Sequence, residues 1–107
     1  MEFKLFESID QMKDVLVNKK PRQVKAGGKN ICIVREGENL LAFANECPHM
    51  GESLSNGTIN HLDEIVCPLH SYRFNIHTAE AVERQCRSLK KIQVTFAAGV
   101  FLILTDT

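Results

Sequence analysis

The 107-residue sequence lacks an excess of charge of either sign. Thirteen Lys and Arg residues balance thirteen Asp and Glu residues, so the formal net charge is zero. A nucleic-acid-binding domain usually carries a basic face, and a disordered chain combines high net charge with few apolar residues. The neutral balance argues against the first class, and the neutral balance together with 44% hydrophobic residues argues against the second. We therefore expect a single globular domain over residues 1–107 that does not bind nucleic acid.

Long apolar runs are also missing, and a membrane span needs about eighteen such residues. The N-terminal segment Met1-Glu2-Phe3-Lys4 has no signal-peptide core. These absences predict a cytoplasmic protein with no membrane partner. Thiols stay reduced in that compartment, so the four cysteines are expected to be ligands or buried apolar residues rather than disulfides. The sequence has neither a Gly-rich phosphate loop nor a carboxylate pair of catalytic type.

Most of the sequence consists of short segments in which apolar and polar residues alternate, separated by turn residues. Ser8 followed by Gln11 is a capping-box pattern and predicts one short helix near residues 9–18, ended before Pro21. Gly27-Gly28 predicts a tight turn between two strands. Many short strands with turns every eight to twelve residues are typical of an antiparallel sandwich or barrel. The predicted fold class is all-β, with candidate strands at 3–6, 24–26, 31–35, 40–44, 58–60, 64–66, 92–96 and 100–104.

Two short segments at strand ends supply matched Cys/His pairs. These segments are Cys47-Pro48-His49 and Cys67-Pro68-Leu69-His70. Four ligands of mixed nitrogen and sulfur type suit either iron–sulfur chemistry or zinc. Because each pair opens a loop at the end of a strand, the two loops can converge at one tip of a rigid scaffold.

Other cysteines and histidines carry weaker signals. Cys32 lies inside the apolar segment 31–34 and is expected to be a buried core residue. His61 and His77 have no neighbouring Cys and are expected on the surface. Cys86 is expected to be exposed and prone to oxidation. It lies in the segment Val82 to Leu89, which contains no proline and whose role is left open.

The motif Cys-x-His followed by Cys-x-x-His resembles the Rieske family, in which two His replace two Cys on one iron of a [2Fe–2S] cluster. The resemblance runs from about residue 31 to the C-terminus. It implies one [2Fe–2S] cluster per subunit, with Cys47 and Cys67 on one iron and His49 and His70 on the other. It also implies antiparallel sheets in which a small cluster-binding subdomain of two loops, at about 45–76, is inserted in a basal β domain.

Several positions narrow the role that this resemblance implies. High-potential respiratory Rieske proteins place a second Cys in each loop, where this sequence has Glu52 and Leu69. Phe74 stands where those proteins have a Tyr whose hydroxyl donates a hydrogen bond to a cysteine sulfur. Ser71 stands where the family usually has Gly. The chain is thus similar to low-potential soluble Rieske ferredoxins. These are electron carriers rather than enzymes, and they shuttle single electrons from a flavin-dependent reductase to a terminal oxygenase.

Two alternatives remain open at this point. The first is the small subunit of an assimilatory nitrite reductase, which resembles Rieske proteins in architecture. The second is a zinc-stabilised binding module without a redox role, because a Cys2His2 set satisfies tetrahedral zinc. If the chain is a carrier, Met50, Leu54 and Leu69 are expected to form the apolar centre of its docking surface, or else to cover the cluster.

Overall fold

The computed structural model describes residues 1–47, 52–68, 72–82 and 87–104. Within these ranges the fold is mostly β, with one short α-helix, as the sequence predicts. The elements are β1 (Glu2–Phe6), α1 (Ile9–Val15), β2 (Arg22–Ala26), β3 (Lys29–Glu36), β4 (Asn39–Ala44), a 3-10 turn (Leu54–Asn56), β5 (Thr58–Ile59), β6 (Glu64–Val66), β7 (Arg73–Asn75), β8 (Lys91–Ala97) and β9 (Gly99–Ile103).

The strands form two antiparallel sheets. The larger has six strands in the order β1-β9-β8-β4-β3-β2, and the smaller has three in the order β5-β6-β7. In the larger sheet β3 and β4 pair from Ile31 opposite Ala44 to Glu36 opposite Asn39. Because β4 runs inside this sheet and ends at Ala44, it delivers the chain to Cys47 from a fixed position.

Two of the turns between strands form where the sequence predicts them. Gly27 and Gly28 join β2 to β3 with φ of 58° and 78°. These are left-handed conformations that residues with a Cβ rarely adopt. The predicted hairpin around 62–63 is also present, since β5 and β6 pair Thr58 with Val66 and Ile59 with Ile65.

Helix α1 is shorter than the sequence predicts. Its start is as expected, because the Ser8 side chain accepts a hydrogen bond from Gln11 N at 3.0 Å. Its end comes earlier because Leu16 is already extended and Lys19 N donates to Arg35 O at 2.7 Å. Pairing with β3 therefore replaces the last predicted helical turn. No helix among the described residues is long and apolar enough to cross a bilayer.

Two groups of buried side chains fill the fold. The basal core lies between α1 and the larger sheet, and includes Met12, Ile31, Ile33, Val100 and Leu102. The loop-side core joins the two sheets, because it contains residues of β3 and β4 together with residues of β6 and β7. Its members are Cys32, Val34, Phe43, Cys47, Leu54, Ile65, Cys67, Phe74, Ile76, Ala79 and Leu89.

Candidate metal centre

The first cysteine loop begins where β4 has ended. Glu46 forms an isolated antiparallel bridge with Ser53, and Cys47 N donates to Glu52 O at 2.8 Å. The bridge and the hydrogen bond close the loop at its base. Cys47 is only 1% exposed, so its thiol faces the interior of the protein rather than solvent.

The second cysteine loop is closed in the same way. Val66 pairs with Arg73 between β6 and β7, and Cys67 N donates to Tyr72 O at 2.7 Å. In both loops the cysteine amide bonds to the carbonyl five residues further on, and the preceding residue pairs with the residue seven further on. Strand β7 was not predicted from the sequence, because its three residues are too few to show a period. The two cysteine loops thus share one closing geometry, as expected of two halves of one ligand set.

Both cysteines fit the role of cluster ligands. Cys47 and Cys67 are both buried, and both belong to the loop-side core. Cysteine sulfur is the donor that iron–sulfur clusters use. His49 and His70, the other two predicted ligands, lie outside the described residues, as do Met50 and Leu69. The structure therefore brings the two predicted thiols into one buried group and leaves the imidazoles as predictions.

Cys32 shows that burial alone does not identify a ligand. Its exposure is 0%, the same as that of Cys67. However, it lies in the middle of β3 opposite Phe43, with no loop attached. Burial raises the pKa of the Cys32 thiol to about 12, so it stays protonated at neutral pH. The prediction that it is a core residue is confirmed.

A buried amide network supports the first loop. Asn45 is 3% exposed, and its side chain accepts from Ser55 N and donates to Gln23 Oε1, both at 3.0 Å. Its backbone N donates to Asn30 O at 3.1 Å, and its carbonyl accepts from Leu54 N at 2.8 Å. Asn45 therefore ties the base of the loop to β2, β3 and the 3-10 turn. Asn45 was not predicted from the sequence, where its only signal was a polar side chain directly after an apolar strand.

A buried carboxylate supports the second loop. Glu64 is 7% exposed and accepts from Asn60 Nδ2 at 2.8 Å and from Arg73 Nη1 at 3.4 Å. Because Glu64 starts β6 and Arg73 starts β7, this contact fixes the hairpin from which Cys67 projects. A buried charge is tolerated only with such partners.

The remaining predictions have mixed outcomes. His61 is exposed, as expected, and Cys86 lies outside the described residues together with 83–85 of the proline-free segment. The expectation that Leu54 contributes to a docking surface is wrong. Its exposure is 0%, because the 3-10 turn directs it into the loop-side core.

His77 is exposed but has partners. The side chains of Glu36, Asp63 and His77 bring one ligand atom each to within 4.8 Å of one another. This group does not include any of the four predicted ligands. Lys19 Nζ lies 2.8 Å from Asp63 Oδ1, so an ammonium already neutralises the carboxylate. We interpret the group as an ion-pair network.

Two closed loops that each begin with a buried thiol, set at the ends of antiparallel strands, indicate a protein with a loop-held metal centre. Comparison with known families makes the assignment specific: the model of the Rieske [2Fe-2S] domain matches residues 7–94. The chain belongs to this family, and its cofactor is a [2Fe–2S] cluster.

Individual relatives differ in how much of their length matches. The chain is 38% identical over 63 residues to the carnitine monooxygenase oxygenase subunit of Acinetobacter baumannii. That match covers 58% of this chain but only 17% of the oxygenase subunit. The chain is 32% identical over 77 residues to the ferredoxin component of naphthalene 1,2-dioxygenase/salicylate 5-hydroxylase systems of a Ralstonia species. That match covers 72% of this chain and 70% of the ferredoxin component.

A solved structure shares almost the whole fold. The ferredoxin of carbazole 1,9a-dioxygenase from Nocardioides aromaticivorans superposes with a TM-score of 0.78 at 25% identity. The alignment covers 95% of this chain and 95% of that one. The likeness to a ferredoxin component thus extends over the full domain, whereas the likeness to the oxygenase subunit is confined to one part of a longer protein.

Proposed function

We propose that this chain is an electron carrier that delivers single electrons to a terminal oxygenase. The observation that carries the proposal is the pair of identically closed loops, each beginning with a buried cysteine. The match to ferredoxin components over most of both chains supports a carrier rather than a catalytic subunit. When bound, the cluster supplies a site that accepts and returns one electron.

The proposed ligands are Cys47 and Cys67 on one iron and His49 and His70 on the other. Segment 45–76 would then act as the cluster-binding subdomain, carried by the larger sheet at its first loop and by the smaller sheet at its second. A flavin-dependent reductase is the proposed electron donor, and the cytoplasm is the proposed location. Docking would take place where the two loops meet, with Leu69 in contact with the partner.

The nitrite reductase alternative shares this architecture, so the fold does not separate it from the carrier. The presence of both Cys/His pairs favours the carrier, because some nitrite reductase small subunits lack the cluster ligands. The zinc alternative is less favourable, since the family match specifies a [2Fe–2S] cluster.

Analysis of the purified protein tests the proposal. We expect a red-brown protein with about two irons and two acid-labile sulfides per chain, and loss of both in the variants Cys47→Ser and Cys67→Ser. Cys32→Ser is the matched control, because this third buried cysteine lies outside the loops and its variant should keep the cluster. A colourless protein that holds one zinc would contradict the proposal.

The imidazole ligands are tested through the reduction potential. Replacing His49 or His70 by Cys exchanges a neutral ligand for a negative one. One charge at about 4 Å and an effective dielectric constant of about 20 corresponds to about 4 kcal/mol, or about 170 mV for one electron. We expect each variant that assembles to have a potential lowered by roughly 100–200 mV. An unchanged potential would show that the substituted imidazole is not on the iron.

Electron delivery is tested at the proposed docking surface. Leu69→Glu should slow electron transfer to an oxygenase while the absorption spectrum and potential stay close to wild type. His61→Glu, at an exposed turn of the smaller sheet, is the control for added charge. A transfer rate for Leu69→Glu equal to that of wild type would place the docking site elsewhere. Equal slowing in both variants would show a general effect of added charge rather than docking at Leu69.

A further inference from the structure

Four side chains form a network between the two sheets, which we call the distal clasp: Lys19, Glu36, Asp63 and His77. Lys19 Nζ lies 2.8 Å from Asp63 Oδ1 and 4.0 Å from Glu36 Oε2. His77 Nε2 lies 3.3 Å from Glu36 Oε2 and 3.6 Å from Asp63 Oδ2. An ammonium and an imidazole therefore each face both carboxylates.

The clasp crosses from one sheet to the other. Lys19 lies in the segment that bonds to β3, and Glu36 is the last residue of β3. Asp63 directly precedes β6, and His77 follows β7 by two residues. Each sheet thus contributes one carboxylate and one nitrogen group.

The clasp also lies at the opposite end of both sheets from the cysteine loops. Asp63 directly precedes β6 and Cys67 directly follows it, so the two residues lie four positions apart, or about 13 Å of extended chain. Glu36 pairs with Asn39, the first residue of β4, and Cys47 follows the far end of that strand. A bound cluster would tie the sheets together at the loop end, and the clasp ties them at the other.

The backbone at the clasp is held in an uncommon conformation. Lys19 and Asp63 have φ of 55° and 59°, in the left-handed region that residues other than Gly seldom occupy. Lys19 N donates to Arg35 O at 2.7 Å, and Asp63 O accepts from Ile76 N at 3.0 Å. Such conformations persist where surrounding contacts enforce them, so the clasp residues are placed by tertiary structure on both sides.

We propose that the distal clasp is a positioning device that limits the separation of the two sheets, and that it thereby sets how fast the two cysteine loops part and release the cluster. This inference rests on the proposed ligation by both loops. The loop-side core packs residues of the two sheets together. The clasp adds a salt-sensitive tie at the edge that the cluster does not reach.

Two variants and a matched control test the proposal. Asp63→Asn removes a charge and keeps a residue that tolerates the left-handed conformation, and Lys19→Gln removes its partner. Glu7→Gln is the control, since Glu7 pairs with Lys4 at the same 2.8 Å but within the N-terminal segment. The measurements are iron release to a chelator and hydrogen exchange of the Ile76 amide.

We expect both rates to rise about fivefold in Asp63→Asn and in Lys19→Gln, the upper range for an exposed ion pair. They should stay within about twofold of wild type in the control. The acceleration in the double variant should be smaller than the product of the two single effects, because both substitutions remove the Lys19–Asp63 contact. Added salt should accelerate release from wild type more than from the double variant, which keeps only the Glu36–His77 pair of the clasp, since salt screens exposed charges.

The outcomes separate this inference from the proposed function. Wild-type release and exchange rates in both clasp variants, with a [2Fe–2S] cluster present, would overturn the clasp and leave the carrier role intact. Release that rises only in proportion to a fall in melting temperature, without the salt effect, would also overturn it. If the wild-type chain binds no iron, the carrier proposal fails, and Ile76 exchange still decides whether the clasp holds the sheets together.

Discussion

Gly57 offers the sharpest test of how the fold holds the second loop. Its φ of −84° is open to any residue, so conformational preference does not explain a glycine there. The explanation is space. A Cβ at this position would overlap the Val66 carbonyl oxygen and lie 3.1 Å from the Leu54 carbonyl oxygen. Both obstacles are backbone atoms, which cannot move aside as the end of a side chain can.

Gly57→Ala must therefore displace either the 3-10 turn or β6. Overpacking of this kind costs about 1–3 kcal/mol, and we expect the upper end because the backbone itself must shift. For a domain of this size, about 3 kcal/mol lowers the melting temperature by roughly 12–24 °C. Since Val66 directly precedes Cys67, we also expect lower iron content after reconstitution.

Gly28→Ala is the matched control. A Cβ at Gly28 meets nothing within 4 Å, but its φ of 78° is unfavourable for alanine. The expected cost is about 1 kcal/mol, or roughly 4–8 °C, with unchanged iron content. Thermal unfolding followed by circular dichroism and an iron assay would compare the two variants. The reasoning is refuted if Gly57→Ala melts no lower than Gly28→Ala and binds as much iron.

Four further predictions concern other described residues. Asn45→Leu leaves buried polar partners of the first loop unsatisfied and should lower the free energy of unfolding by about 1–3 kcal/mol in urea denaturation; a loss below about 0.5 kcal/mol would mean that water replaces the network. Because burial raises the pKa of Cys32 to about 12, iodoacetamide at pH 8 should leave it unlabelled in the folded protein by mass spectrometry, whereas labelling would show that the thiol is accessible. Phe74 is fully buried in the same core as the two loop cysteines, so Phe74→Tyr should raise the reduction potential if its hydroxyl reaches a cysteine sulfur; intact absorption with an unchanged potential would contradict this. The hydrogen bond from Lys19 holds the pKa of Asp63 below its ordinary value of 3.8, so this carboxylate stabilises the fold above that pH and loses the effect as pH falls through the lowered pKa. The stability gap between wild type and Asp63→Asn in urea should therefore close in acid, and a gap independent of pH would exclude the linkage.

The sequence alone determined the features that depend on local pattern. The strand periodicity, the Ser8 cap and the Gly27-Gly28 turn predicted the all-β fold, because these signals act between residues that are near in sequence. The two Cys/His pairs identified the family for the same reason, since each pair lies within a few residues of one loop. The position of Cys32 inside a strand was enough to separate it from the two cysteines proposed as ligands.

Tertiary structure decided the features that depend on residues distant in sequence. The end of α1 is set by pairing with β3, and the burial of Leu54 is set by the core between the sheets. The need for Gly57 comes from the Val66 carbonyl on a neighbouring strand. The clasp joins Lys19 to Asp63, which are 44 residues apart. Such contacts form only once segments distant in sequence pack against each other, so no local pattern in the sequence records them.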